Sequence, residues 1–298
     1  MANTKEIKNR ISSVKDTQKI TGAMYMISSN KMRKARRELE ETKPYFEEID
    51  SEIKRIFRIS ENILNRYFFP PGPELDYEGT YGILAITADK GLAGAYNQNV
   101  IKTVQQLMKV HEDVQLFVVG EYGRRYFDAH NIPMEKTFLH TAQNPTLHRA
   151  REIATDLLYR YNRSQLAKIF IVYTDFSGGG GEGSARSTRL LPFHRHQFYE
   201  HRPEGEETVQ HEFLGSIEEV LDGIVPSYLT GFIYSALVDS FCSEQNARMT
   251  AMDAANQNAE ELLADLQVQY NHMRQNAITQ EITEIASGAK GLLQAQKR

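Results

Sequence analysis

Apolar and small side chains recur near the start of the chain in unbroken steps of four and three: Ile7, Ile11, Val14, Gln18, Thr21, Tyr25, Ser28, Met32, Ala35 and Leu39. A period of 3.5 residues predicts a helix that winds left-handed around a partner helix. Gln18, Thr21 and Ser28 make the middle of this seam polar or small, while Ile20, Ala23, Met24 and Ile27 open a second apolar stripe beside it. That second stripe predicts contact with something beyond the first partner. Pro44 is expected to kink or end the helix, although Tyr45, Phe46, Ile49, Ile53 and Phe57 keep helical spacing past it.

The prolines and glycines of "YFFPPGPELDYEGTY" mark a boundary, after which the period changes. "YGILAITA", "VQLFVVG" and "AKIFIVYT" are short runs rich in Ile and Val, separated by helical stretches. This is the pattern of an α/β domain with a largely parallel sheet. "DFSGGGGEGSARS" reads as a flexible loop.

From about Ser216 the pattern is helical again. Ala255, Ala259, Leu262, Leu266, Tyr270, Met273 and Ala277 form one stripe, which Ile278, Ile282, Ile285, Ala289 and Leu292 continue. No glycine or proline lies between Gly231 and Ser287, enough chain for a helix of roughly 80 Å. Long helices that are partly polar all round draw their stability from packing, so the two ends of the chain are expected to pair.

The predicted fold is therefore α+β/α. An antiparallel two-helix coiled coil is formed by residues 1–60 and 216–298, a linker covers 61–80, and a Rossmann-like α/β domain is inserted at 81–215.

Composition narrows the function. The 298 residues are 41% hydrophobic, ample for a core, and 35 Lys and Arg against 39 Asp and Glu leave a net charge of -4. A charge that small gives no general pull toward nucleic acid or anionic lipid, so a charged partner has to be met by a local patch. Lys31, Arg33, Lys34, Arg36 and Arg37 form such a patch, followed by Glu38, Glu40 and Glu41. Heptads run before and through it, unlike a basic DNA-binding fork, which precedes its zipper. An acidic protein surface is the more economical partner.

The single cysteine, Cys242, excludes an internal disulfide framework and a Cys-rich zinc site. "MANTKEIKNR" lacks the apolar stretch of a signal peptide, and no uninterrupted run of about 18 apolar residues is present to cross a bilayer. Any membrane association is expected to come through partners.

Candidate chemistry is sparse. "TADKGLAGAYNQN" follows a strand and opens a helix, where free N–H groups favour an anion, but it carries neither a phosphate-loop nor a dinucleotide fingerprint. A tight strand-to-helix turn is the plainer reading. Gly178 to Gly181 lack the following Lys-Ser or Lys-Thr of a phosphate cradle, and His194, His196, His201 and His211 lack regular ligand spacing. No nucleophile-base pair or paired carboxylate can be assembled, so no catalytic residue, cofactor or metal is expected.

"EIKNRISSVKDTQKITGAM" with "NKMRKARR", then "TADKGLAGAYNQN", "SEQNARMTAMDAANQNAEEL" and "NAITQEITEIASGA" resemble, in order and spacing, the γ subunits of F-type ATP synthases. The resemblance covers essentially the whole chain and implies a non-catalytic central rotor shaft. It implies partners too: the hexamer of α and β subunits, the ε subunit and the membrane ring of c subunits, with no nucleic acid.

By the same resemblance Lys31, Met32, Arg33 and Lys34 face acidic loops of the β subunits. Arg248 in "NARMTAM", and Arg274, Gln275, Thr279 and Glu281 in "RQNAITQE", match positions of polar contact with β-subunit loops. The lack of a targeting segment favours the cytoplasmic side of a bacterial inner membrane, as a peripheral subunit, with a mature organellar chain as the alternative. Gly22 and Tyr25 stand where many relatives carry charge, and Gly22 costs about 1 kcal/mol of helix propensity relative to Ala. The alternative from another class is an α/β nucleotide-binding protein with coiled-coil oligomerisation arms.

Overall fold

The computed structural model describes residues 4–59, 65–69, 79–111, 113–176, 184–194, 198 and 216–295, with side chains of the last helix described to residue 289. In chain order the elements are α1 (Thr4–Ile59), β1 (Tyr81–Ile86), α2 (Tyr96–Val110), β2 (Val114–Val119), α3 (Glu121–Ala129), α4 (Leu147–Asn162), β3 (Lys168–Thr174), β4 (Ala185–Leu191) and α5 (Ile217–Ala295). The chain divides into two compact units, one of Met1–Ile27 with Met249–Arg298 and one of Ser28–Arg248. The terminal helices run through both.

In the first unit α1 and α5 lie antiparallel. The Gln18 amide donates to Glu260 Oε1 at 3.2 Å, and the Thr21 hydroxyl donates to Asn256 Oδ1. These polar pairs sit where the seam was read as polar, and they fix its register as isolated polar layers do in coiled coils. Every seam position from Ile7 to Tyr25 is at least partly covered, and Ile7 is buried.

From Ala251 onward the covered positions of α5 are Ala251, Met252, Ala255, Asn256, Ala259, Leu263, Leu266, Tyr270 and Met273, so Leu263 takes the place assigned to Leu262, which is 44% exposed. Ile278, Ile282 and Ile285 do not continue the seam. They are 47%, 62% and 73% exposed, because the observed register brings the first described residue of α1, Thr4, opposite about residue 273.

The second unit is built on a four-stranded sheet of order β2-β1-β3-β4. β1 pairs parallel with β2 and β3, and β4 returns antiparallel on β3. β1 is buried along its whole length, which is why it reads as an unbroken apolar run. β4, by contrast, is "ARSTRLL", half exposed at the sheet's edge; its first three residues fall in the stretch expected to be a loop, and its polar pattern gives no strand signal. Residues 177–183, including the tetraglycine, lie outside the described residues.

One face of the sheet packs Ile83, Ala85, Leu116, Val118 and Val172 against Val100, Ile101 and Val104 of α2 and Phe127 of α3. The other face belongs to a larger core with α4 and with the parts of α1 and α5 in this unit, through Ile53, Ile56, Phe57, Leu229, Ile233 and Leu237. Pro44 does not end α1, and Pro226 lies within α5. Phe46, Ile49 and Ile53 beyond Pro44 pack into the core, and that burial outweighs the lost backbone hydrogen bond. Tyr45 faces out at 59% exposure.

Ser216 and Glu219 cap α5 reciprocally, the Glu219 N–H donating to Ser216 Oγ at 3.1 Å and the Ser216 N–H to Glu219 Oε2 at 3.2 Å. Within the span read as a linker, Tyr67, Phe68 and Phe69 are buried, and Phe68 bridges to Phe193.

An 18-residue stretch of α5, although not an uninterrupted apolar run, reaches a mean hydropathy of 1.3, so by length and composition it could cross a membrane. Half of that stretch is buried, and the apolar residues of α5 that pack beneath the sheet make it a core helix of this unit.

Asp239 of α5 sits part-buried near Asp175, which follows β3 and pairs with Arg186 of β4 at 2.8 Å. Burial and the Asp175 charge push the Asp239 carboxyl up to about 6, against the pull of Arg36 from α1. One turn on, Cys242 is buried; burial first and Asp239 second push its thiol up to about 12.

Two glycines of the helices behave oppositely. A Cβ on Gly231 would lie 2.2 Å from the Phe46 ring, whereas one on Gly22 would meet nothing within 4 Å. Gly231→Ala is expected to destabilise the chain by about 1–3 kcal/mol through overpacking. Gly22→Ala should stabilise it by up to about 1 kcal/mol. Equal effects in denaturant titrations would contradict this packing.

For Asp239 the folded value, about 6, exceeds the ordinary 3.8, so ionisation opposes folding. The penalty is fully present above about pH 7 and disappears as pH falls through 6 toward 4. Asp239→Asn should therefore raise stability at pH 7.5 by on the order of 1–2 kcal/mol, allowing for partial solvent screening, and give no gain at pH 4. A pH-independent difference in thermal melts would refute this environment.

Candidate functional site

Two groups of residues need a structural account: those singled out on the helices, and the strand-to-helix turn "TADKGLAGAYNQN".

Lys31, Arg33 and Lys34 project from α1 into solvent, while Met32 is half-buried against the larger core. Arg33 donates to Asn30 at 2.8 Å and Lys34 pairs with Glu38 at 3.7 Å, both weak surface contacts within one helix. The cluster stays available as a charged face. Arg274, Gln275, Thr279 and Glu281 are all exposed on α5 beyond the last covered seam position. At 100° per residue Arg274, Ile278, Glu281 and Ile285 fall on one stripe, so charge and apolar surface alternate along it.

Arg248 differs from the other eight. It is 8% exposed and its guanidinium has partners in its own unit: Nη1 meets Glu244 Oε1 at 2.7 Å, and Nη2 donates to the Gly91 carbonyl at 3.0 Å. Lys31 is close enough for its charge to help hold Glu244 ionised, so Lys31, Met32 and Arg248 gather around the same stretch of α5. Among the described residues the remaining site residues lie together only along their own helices, Lys31 to Lys34 on α1 and Arg274 to Glu281 on α5.

The turn lies at the carboxyl ends of the strands. Because the order is β2-β1-β3-β4, the chain reverses direction between β1 and β3, the switch point at which open α/β sheets take ligands. Here the crevice is filled from within. Asp89 accepts the Glu121 N–H at the start of α3 at 3.1 Å, the Ala142 N–H at 3.1 Å and the Gln143 N–H at 2.9 Å. Its carboxylate thus occupies the place where helix N-terminal donors would hold a phosphate. Asn97 Oδ1 accepts the Ala88 N–H at 2.9 Å, and the Tyr96 hydroxyl reaches the Ile86 carbonyl at 3.4 Å.

From the other side α5 closes the crevice. The Thr174 N–H donates to Ser240 Oγ at 3.2 Å, the Ser243 hydroxyl donates to the Thr174 carbonyl at 3.4 Å, and Arg248 reaches Gly91. Burial pushes the Glu244 carboxyl above the usual range, opposed by Arg248. Burial and Glu244 likewise push the Tyr96 hydroxyl far up, so it stays neutral.

Asp89, Ser240, Ser243 and Glu244 were not singled out in the sequence. Asp89 carried a signal, an acidic residue just after a strand; Ser243 and Glu244 carried none beyond membership of a motif, and Ser240 carried none.

Among the described residues no group of three His, Cys, Asp or Glu side chains is placed to hold a metal ion. His194 stacks on Phe69 at 5.5 Å, and His196, His201 and His211 lie outside the described residues.

Comparison with known proteins covers the whole chain, terminal helices and sheet alike. The model of the family described as ATP synthase matches residues 3–292. The ATP synthase gamma chain of Caldanaerobacter subterraneus subsp. tengcongensis is 42% identical over 96% of this chain and 98% of its own length. That of Acetivibrio thermocellus is 39% identical over 98% and 100%. The sodium ion specific gamma chain of Acetobacterium woodii is 34% identical over 97% and 99%.

The fold is shared with a chain of the central stalk and c-ring of Tetrahymena thermophila mitochondrial ATP synthase. The TM-score is 0.54 at 21% identity, covering 79% of this chain and 99% of that one. A chain of the Euglena gracilis mitochondrial enzyme gives 0.55 at 15% identity, covering 93% and 97%. With its length matched from end to end by proteins of one kind, the chain belongs to the family of ATP synthase gamma chains.

Proposed function

We propose that this chain is the central-stalk rotor subunit of an F-type ATP synthase, coupling ion-driven rotation of the c-ring to ATP synthesis or hydrolysis in a hexamer of α and β subunits. The observation that carries the reading is full-length agreement with gamma chains, both terminal helices included. The chain is itself non-catalytic, and its place in a membrane-associated complex comes through its partners, the ε subunit among them. The bacterial names of the matched gamma chains support the cytoplasmic face of a bacterial inner membrane as the location. In this reading residues 1–60 and 216–298 act as the shaft, 61–80 as a connection and 81–215 as the domain toward the membrane ring.

The mechanism follows from one-sidedness. An asymmetric shaft presents a different face to each of three otherwise equivalent β subunits, and unequal contact energies hold them in different states of nucleotide affinity. Turning the shaft moves that bias from one subunit to the next. Contacts that must be remade at each step have to be weak. The exposed cations Lys31, Arg33 and Lys34 would meet acidic β-subunit loops in partly solvated pairs, worth about 1 kcal/mol or less each. Arg274, Gln275, Thr279 and Glu281 offer further polar contacts on a stretch of α5 that α1 leaves uncovered.

Mixing the chain with α and β subunits should give a stable complex holding one copy per hexamer; recovery of the hexamer without it would overturn the proposal. Ending the chain before Asn276 should reduce coupled ATP synthesis at least about fivefold while leaving the melting of the sheet-bearing unit unchanged, and equal loss of both would refute the shaft assignment. Replacing Lys31, Arg33 and Lys34 together with Gln should change the ATPase rate of the reconstituted hexamer about two- to tenfold. Unchanged turnover and coupling would remove them from the contact surface.

A further inference from the structure

We propose that Glu244 is a positioning residue for rotational coupling: it holds the Arg248 guanidinium on the Gly91 carbonyl, and this clamp carries load between α5 and the end of the sheet. The inference rests on the rotor reading and assigns Arg248 a task inside the chain, in place of contact with a β-subunit loop.

Three observations support it. The pair is shielded, with side chains 10% and 4% exposed at Arg248 and Glu244, so water cannot compete for it as it does for a surface pair. It is also aimed: one arm of the guanidinium fork goes to Glu244 at 2.7 Å and another to Gly91 at 3.0 Å, the turn between β1 and α2. Finally, it is one of several ties at the same place, beside Ser240 and Ser243 on the two backbone polar groups of Thr174 at the end of β3.

Together these ties fasten one stretch of α5 to the carboxyl ends of two neighbouring strands, β1 and β3. A sheet joined to a helix only by apolar contact can slide, since such contact has no preferred direction. Directed hydrogen bonds resist sliding, and buried ones resist it most.

Other charges act on the same carboxylate. Lys31 from α1 favours its ionised form and Asp89 from the turn opposes it, while the neutral Tyr96 hydroxyl from α2 lies near. Among the described residues Glu244 Oε2 is buried without a hydrogen-bond partner, and the carboxylate's one strong contact there is the one with Arg248. Removing that charge leaves the guanidinium uncompensated and free to leave Gly91.

The test uses complete synthase in vesicles carrying the wild-type chain, E244Q, R248K or both. ATP synthesis under an imposed gradient of protons and sodium together is divided by ATP hydrolysis in the same preparation. Lys at 248 can still pair with Glu244 but has no fork with which to hold Gly91 as well. Each single variant should lower the ratio at least about fivefold, and the double variant should fall no further than the worse single, as expected of partners in one contact. Ratios equal to wild type, or losses that multiply, overturn the clamp.

In the full chain alone, backbone amides of residues 91–96 should exchange about tenfold faster with deuterium in R248K. Unchanged exchange there overturns the clamp whether or not the variants assemble. A wild-type chain that supports no synthesis at all would sink the rotor reading instead.

Discussion

A long helix with apolar side chains every three and four residues has to be covered, and nearly everything in this chain follows from how that requirement is met. In the sheet-bearing unit, stretches of α1 and α5 are buried against one face of the sheet, with Ile53, Ile56, Phe57, Leu229 and Ile233 fully enclosed. In the other unit the same two helices cover only each other, across a narrow seam with polar layers at Gln18–Glu260 and Thr21–Asn256. Beyond Met273 nothing among the described residues covers α5. The same sequence element thus passes from core helix, to coiled-coil partner, to a free helix whose exposed Ile278, Ile282 and Ile285 are available to another protein.

The α/β domain shows how a ligand-binding architecture can be put to mechanical use. Its switch-point crevice retains the local chemistry of an anion site, with the N–H that starts α3 and the N–H groups of Ala142 and Gln143 converging on one spot. Asp89 supplies the negative charge from the chain itself, and the polar side chains of α5 enter where a ligand's would. An interface of that kind is directional because its partners are hydrogen-bonded groups and not merely apolar surfaces.

Much of this was legible in the sequence, and the failures have physical causes. The α1 seam was correct position by position because a 3.5 period over many turns is a strong signal, and three of the four strands were visible as Ile- and Val-rich runs. β4 was missed because an edge strand half open to solvent need not be apolar. Pro44 left open whether the helix ended there, because its penalty is local while the packing that overrides it comes from residues distant in sequence. The Leu262 and Leu263 exchange reflects two adjacent leucines that periodicity alone cannot rank. The basic face on α1 was plain from Lys31, Arg33 and Lys34. The burial of Arg248 was not, since its partners Glu244 and Gly91 are joined only by folding.

The enclosure of Cys242 has a practical side. A thiol that is deeply buried, and whose ionisation is displaced to about 12, is almost never present as the reactive thiolate at neutral pH. As it is also the chain's single cysteine, the native protein offers maleimides and disulfide reagents essentially nothing to attack. New cysteines placed at outward positions such as Val268 or Lys109 would then be the sole points of attachment for fluorophores or beads. The molecule is thus a ready-made blank for watching a single shaft turn.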